Sequence, residues 1–118
     1  MSLRHEILTS PSPGLTPAET TAQANAILAG FCPPVSAWWT RRFGGFTAPQ
    51  LLAIPSIAAG QHTLVCAPTG SGKSLCAFIS VLSDLYARQL AGTLQDAIDT
   101  VYISPLKALG ADVERNLL

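Results

Sequence analysis

The chain has 118 residues, enough for one small domain, and at 48% hydrophobic it can build a core, which excludes disorder throughout. Seven Lys+Arg balance seven Asp+Glu, so neither a histone-like basic protein nor an acidic tail fits. Charged residues make up only 12% of the chain, against a typical figure of about 25%. That is low for a free-standing domain and points to apolar surface that expects a covering. Cys32, Cys66 and Cys76 form no CxxC pair and have no His at metal-ligand spacing. An odd count without a secretory leader favours a reducing compartment with the thiols buried. No apolar run approaches the roughly 20 residues of a membrane span. The expectation is a cytoplasmic, soluble chain with no membrane partner.

Residues 1–15 end in Ser10-Pro11-Ser12-Pro13-Gly14, which reads as a flexible lead-in to one domain over 16–118. Thr16-Pro17-Ala18-Glu19 is a helix start: Thr16 caps, Pro17 suits the first position, and Glu19 completes a capping box. That helix is expected to run to Ala29, with Gly30 and Pro33-Pro34 ending it. Ser36 then opens a short aromatic segment, Trp38-Trp39-Thr40-Arg41-Arg42-Phe43, broken by Gly44-Gly45. The adjacent tryptophans are read as packing residues, with stacking on a base as the alternative. Thr47 caps a second helix over 48–59, whose Leu51, Leu52, Ile54 and Ala58 suit one buried face.

Residues 62–67 are a short apolar, β-branched run of the kind found in buried parallel strands, and Val101-Tyr102-Ile103-Ser104 is a second. A helix is expected between them, over 73–90, and another over 106–118. Strand, helix, strand, helix predicts a βαβ unit and an α/β fold. Two strands are too few to make such a sheet stable, so the chain reads as the front part of an α/β domain.

Between the first strand and its helix lies Ala67-Pro68-Thr69-Gly70-Ser71-Gly72-Lys73-Ser74, which matches GxxxxGK[ST] with Ala67 in place of the first Gly. Gly70 and Gly72 let the backbone turn so that successive N–H groups point at one phosphate. Lys73 is the candidate catalytic residue, carrying charge to the β- and γ-phosphates, and Ser74 is the candidate metal contact, presenting a hydroxyl to Mg²⁺. The helix N-terminus adds its positive dipole end. Nucleotide binding is the reading this loop gives.

Two flanking segments resemble motifs of one family. Phe43-Gly44-Gly45-Phe46-Thr47-Ala48-Pro49-Gln50 resembles the Q motif of superfamily 2 helicases of the DEAD/DEAH-box kind. In that family the Gln reads the adenine edge and an upstream aromatic lies against the base, which assigns these roles to Gln50 and Phe43. The residues 101–109, followed by Asp112, Arg115 and Asn116, resemble motif Ia of the same superfamily, most of all in its large helicase-related (Lhr) branch. That motif holds the sugar-phosphate backbone of one strand, which points to Ser104, Pro105, Leu106 and Lys107, with Arg115 as a weaker candidate beside a possible pairing with Asp112 or Glu114.

The resemblance implies a P-loop NTPase (RecA-like) parallel sheet with flanking helices, incomplete in this chain. It implies ATP and Mg²⁺ as cofactors, single-stranded or partly duplex nucleic acid as partner, and the remainder of a helicase chain. The intact enzyme would couple ATP hydrolysis to translocation and unwinding. No apolar strand ending in Asp-Glu follows Tyr102, and Asp96 and Asp99 do not sit at the end of such a strand. This chain by itself is therefore expected to bind nucleotide but hardly to hydrolyse it. The alternatives are a stand-alone or truncated non-catalytic nucleotide or nucleic-acid binding module, and another P-loop enzyme such as a small kinase.

Overall fold

A computed structural model describes residues 14–68 and 70–104, and the expected helix over 106–118 lies outside them, as do residues 1–13 of the lead-in. Four helices order the described residues: α1 (Pro17–Gly30), α2 (Pro33–Phe43), α3 (Ala48–Ala58) and α4 (Lys73–Leu90). None is long and apolar enough to cross a membrane.

The start of α1 follows the expected capping box. The Thr16 N–H donates to Glu19 Oε2 at 2.7 Å and the Glu19 N–H donates to Thr16 Oγ1 at 3.2 Å. The first of these bonds holds the Glu19 carboxyl below its ordinary range. The short aromatic segment expected from Ser36 onward is part of a helix that begins earlier, at Pro33. Pro33 and Pro34 sit in the first turn of α2 and do not merely end α1, because first-turn residues need no N–H donor. Gly44, at φ +71°, closes α2 in the left-handed conformation.

Pro55 lies inside α3. Lacking an N–H, it cannot pair with the Leu51 carbonyl one turn earlier. Gln23 of α1 reaches across and donates its Nε2 to that carbonyl at 3.3 Å, so a would-be helix defect joins two helices.

The core gathers Ile27, Phe31, Cys32, Val35, Trp39, Leu51, Ala53, Ile54, Cys76 and Ile79 from all four helices. On α3 it is Ala53 that is fully buried, while the expected Ala58 is exposed. A polar contact crosses this core: the Cys32 N–H donates to the Ser83 hydroxyl at 2.7 Å, tying the start of α2 to α4.

The expected sheet is not formed among the described residues, which hold no strand beyond a single bridging residue, Val65. Residues 62–68 and 101–104 run as irregular chain. A helix closes its hydrogen bonds internally, whereas a strand depends on its neighbours, and two short segments do not supply enough of them. Accordingly Leu64, Val101 and Ile103 are 58%, 72% and 86% exposed. Residues 93–104 are nonetheless tied to α4. Arg88 bridges Asp84 at 2.9 Å and Asp99 at 2.6 Å, and the Tyr102 ring lies 5.0 Å from that of Phe78. The bond from Arg88, with a second from the Thr100 hydroxyl, holds the Asp99 carboxyl below the usual carboxylate range.

Replacing Ser83 by Ala leaves the buried Cys32 N–H without its acceptor. The expected cost is about 1–3 kcal/mol of unfolding free energy in a urea titration of the chain.

Candidate nucleotide site

The phosphate loop sits where α3 meets α4. Gly70 and Gly72 adopt φ of +82° and +77°, in the left-handed region that side chains avoid. The Ser71 N–H and hydroxyl both donate to the Pro68 carbonyl, at 3.2 and 2.6 Å, which closes the turn. α4 begins at Lys73 with Gly72 as its cap, so the first-turn N–H groups and the positive dipole end face the loop.

The loop is held from behind by the N-terminus of α3. The Thr47 hydroxyl donates to the Ser71 carbonyl at 2.7 Å. Gln50, only 4% exposed, accepts from the Thr47 N–H at 2.9 Å and donates its Nε2 to the Gly72 carbonyl at 3.2 Å. A Cβ at position 72 would collide with the Gln50 amide, so Gly72 is required by this close approach as well as by its φ. Cys76 completes the set, its Sγ lying 3.6 Å from the same Gly72 carbonyl.

The expected site residues are thus brought together in part. Lys73 is half-buried and its Nζ donates to the Ala67 carbonyl at 2.6 Å, folded onto the mouth of the loop. Ser74 is exposed on the first turn of α4. Phe43 is 42% exposed, its ring tilted against Trp39 at 4.6 Å and edge-on to Trp38 at 5.7 Å. Gln50 lies under the loop, and one amide N–H and one lone pair are all it has left to offer a base. Thr69, Pro105, Leu106, Lys107 and Arg115 lie outside the described residues, and Ser104 is half-buried at their edge.

The packing reading of the tryptophans holds: Trp39 is 1% exposed and Trp38 half-buried. Burial of the thiols holds for Cys32 and Cys76, while Cys66, one residue before the loop, is exposed. Thr47 is the contact that the sequence reading passed over. The sequence marks it as a helix cap, and no local pattern signals its bond to Ser71.

These features fit a nucleotide phosphate. Left-handed glycines, a free helix N-terminus and a lysine whose present partner is a neutral carbonyl would all turn to an anion. An open hollow of about 470 Å³ between α1 and α3, lined by Leu15, Glu19, Ala22, Gln23, Leu51 and Leu52, shares no residue with the loop.

Comparison with known proteins places this geometry in a family. The model of the DEAD/DEAH box helicase family matches residues 47–118, from the Thr47 cap onward, and the chain belongs to that family. Lhr-type helicases are among its relatives. It is 51% identical over 85 residues to an ATP-dependent helicase Lhr-Core of Methanothermobacter thermautotrophicus, covering 72% of this chain and 10% of that protein. It is 45% identical over 84 residues to the Lhr-Core helicase of Methanocaldococcus jannaschii, covering 71% and 10%. To a Lhr helicase/probable uracil glycosylase of Mycolicibacterium smegmatis it is 47% identical over 83 residues, covering 68% and 5%. The chain thus spans about a tenth of the length of the Lhr-Core relatives. No solved structure matches it. The family's fold is of the P-loop, RecA-like type, which agrees with the loop and its helix here.

Burial pushes the Cys76 thiol up from 9.0 to about 11. Two outcomes follow. Iodoacetamide at pH 8 should label Cys66 in the folded chain and leave Cys76 unmodified, as read by peptide mass. The unfolded thiol ionises near 9.0 and the folded one near 11, so the unfolded state holds fewer protons between these values. Stability should fall as pH rises through that window, and Cys76→Ala should remove this part of the alkaline loss.

Proposed function

We propose that this chain is the ATP-binding portion of an ATP-dependent nucleic-acid helicase, in which ATP hydrolysis drives movement along a strand. The observation that carries the proposal is the phosphate loop at the start of α4, buttressed by Thr47 and Gln50. The Lhr-type relatives, named as ATP-dependent helicases, support it.

In this reading Lys73 leaves the Ala67 carbonyl for the β- and γ-phosphates, and the first-turn N–H groups of α4 take the same anion. Ser74, exposed beside them, offers its hydroxyl to the Mg²⁺ that travels with ATP. Ala67, Pro68, Thr69, Gly70, Ser71 and Gly72 shape the cradle. Phe43 gives its free face to adenine, and Gln50 supplies its remaining donor and acceptor to the base edge. Bound ATP brings the phosphoanhydride whose cleavage is the energy source. Residues 62–67 and 101–104 join the parallel sheet of a RecA-like domain, which would cover the apolar side chains they expose here. Ser104, Pro105, Leu106 and Lys107, with Arg115, grip the backbone of a DNA or RNA strand. The remainder of a longer polypeptide is then this chain's partner in catalysis.

The first test is the mass of the native polypeptide, detected in its own cell extract with an antibody to this segment. A product several times heavier than 12.4 kDa is expected, and one of 12.4 kDa would overturn the helicase reading. In the native polypeptide, Lys73→Ala should abolish nucleotide binding, and unchanged affinity in a titration would remove the phosphate-loop assignment. Gln50→Ala should weaken ATP more than GTP. Equal losses would confine Gln50 to holding the loop.

A further inference from the structure

Trp39 is among the most buried large side chains among the described residues, yet its contacts converge on a short turn at the edge of the nucleotide site. Its indole N–H donates to the Gly45 carbonyl at 3.0 Å. One face stacks on Phe46, with ring centroids 4.9 Å apart and planes within 18°, and Phe43 lies against it at 4.6 Å. Residues 44–46 contain two adjacent glycines, the first at φ +71°, and have little stiffness of their own. Phe43 enters this turn and Thr47 leaves it, and Thr47 is bonded to the phosphate loop through Ser71. The turn therefore fixes the spacing between an exposed aromatic face and the phosphate cradle, and Trp39 fixes the turn.

We infer that Trp39 is a positioning residue for the base end of the nucleotide site, acting through the 44–46 turn on Phe43. It touches no nucleotide itself. The inference rests on the reading above, in which the base lies against Phe43. A purely structural Trp39 would affect phosphate and base binding alike, because loss of the core would disturb both. A positioning Trp39 affects the base alone, because Thr47 and Gln50 hold the loop by separate bonds.

The test compares ATP with inorganic tripolyphosphate, which has the phosphates and no base, in titrations of the native polypeptide. Trp39→Phe keeps a ring in the stack and removes the donor to Gly45. Its affinity for ATP should fall about fivefold to tenfold with tripolyphosphate unchanged, in keeping with one partly buried hydrogen bond. Equal losses for the two ligands, or unchanged ATP affinity, would overturn the inference. Should Trp39→Phe fail to fold, Phe46→Leu keeps the indole bond and removes the stacking partner. It should lower the ratio of ATP to tripolyphosphate affinity about threefold, and an unchanged ratio would overturn the inference just as well. The wild-type protein separates the two levels. If it binds tripolyphosphate as tightly as ATP, the base contact itself fails and takes the role of Trp39 with it. If it prefers ATP while both variants keep that preference, only the role of Trp39 is lost.

Discussion

The join between the start of α3 and the phosphate loop is the contact on which the rest of this arrangement depends. Thr47 and Gln50 supply donors to two carbonyls of a glycine-rich loop, those of Ser71 and Gly72. Each bond is worth only about 1 kcal/mol net, but the two act together on one short turn. The same glycines that let the backbone wrap a phosphate make the loop unable to hold its own shape. Its geometry is borrowed from a neighbouring helix.

That dependence explains the packing around it. α3 must be held firmly if its first turn is to act as a buttress, and it is clamped on two sides. α4 presses Cys76 and Ile79 into the core beside Ala53 and Ile54. α1 contributes Gln23, which takes the carbonyl that Pro55 leaves free. α2 is tied to α4 by the Cys32–Ser83 bond and delivers Trp39 to the turn before Thr47. The four helices thus serve a loop that belongs to none of them.

Much of this was legible in the sequence because the signals were local. Thr16, Pro17 and Glu19 mark a helix start by the chemistry of unpaired N–H groups, and the structure starts α1 there. GxxxxGK[ST] specifies its own glycines, lysine and hydroxyl, and these lie at the head of α4. What the sequence did not carry was anything that depends on distant residues. Thr47 belongs to a capping box with Gln50 at the start of its own helix, and nothing in its spacing says that its hydroxyl also reaches Ser71. Pro33 and Pro34 can end one helix and equally open the next, and the local sequence does not distinguish the two. Residues 62–67 and 101–104 have strand composition, yet a strand exists only with neighbours, and among the described residues they do not form one. Cys66 lies in one of these segments and is exposed, against the expectation of buried thiols.

Those unpaired segments have a colloidal consequence. Leu64, Ile98, Val101 and Ile103 present β-branched and aliphatic side chains to water, three of them within six residues, beside backbone groups that a neighbouring chain can bond. The formal net charge is zero, so copies of this chain meet without long-range repulsion. Solutions of the 118-residue chain will therefore be limited less by unfolding of the helical core than by association along residues 98–103. Added acidic residues on that stretch are the economical route to material concentrated enough for spectroscopy.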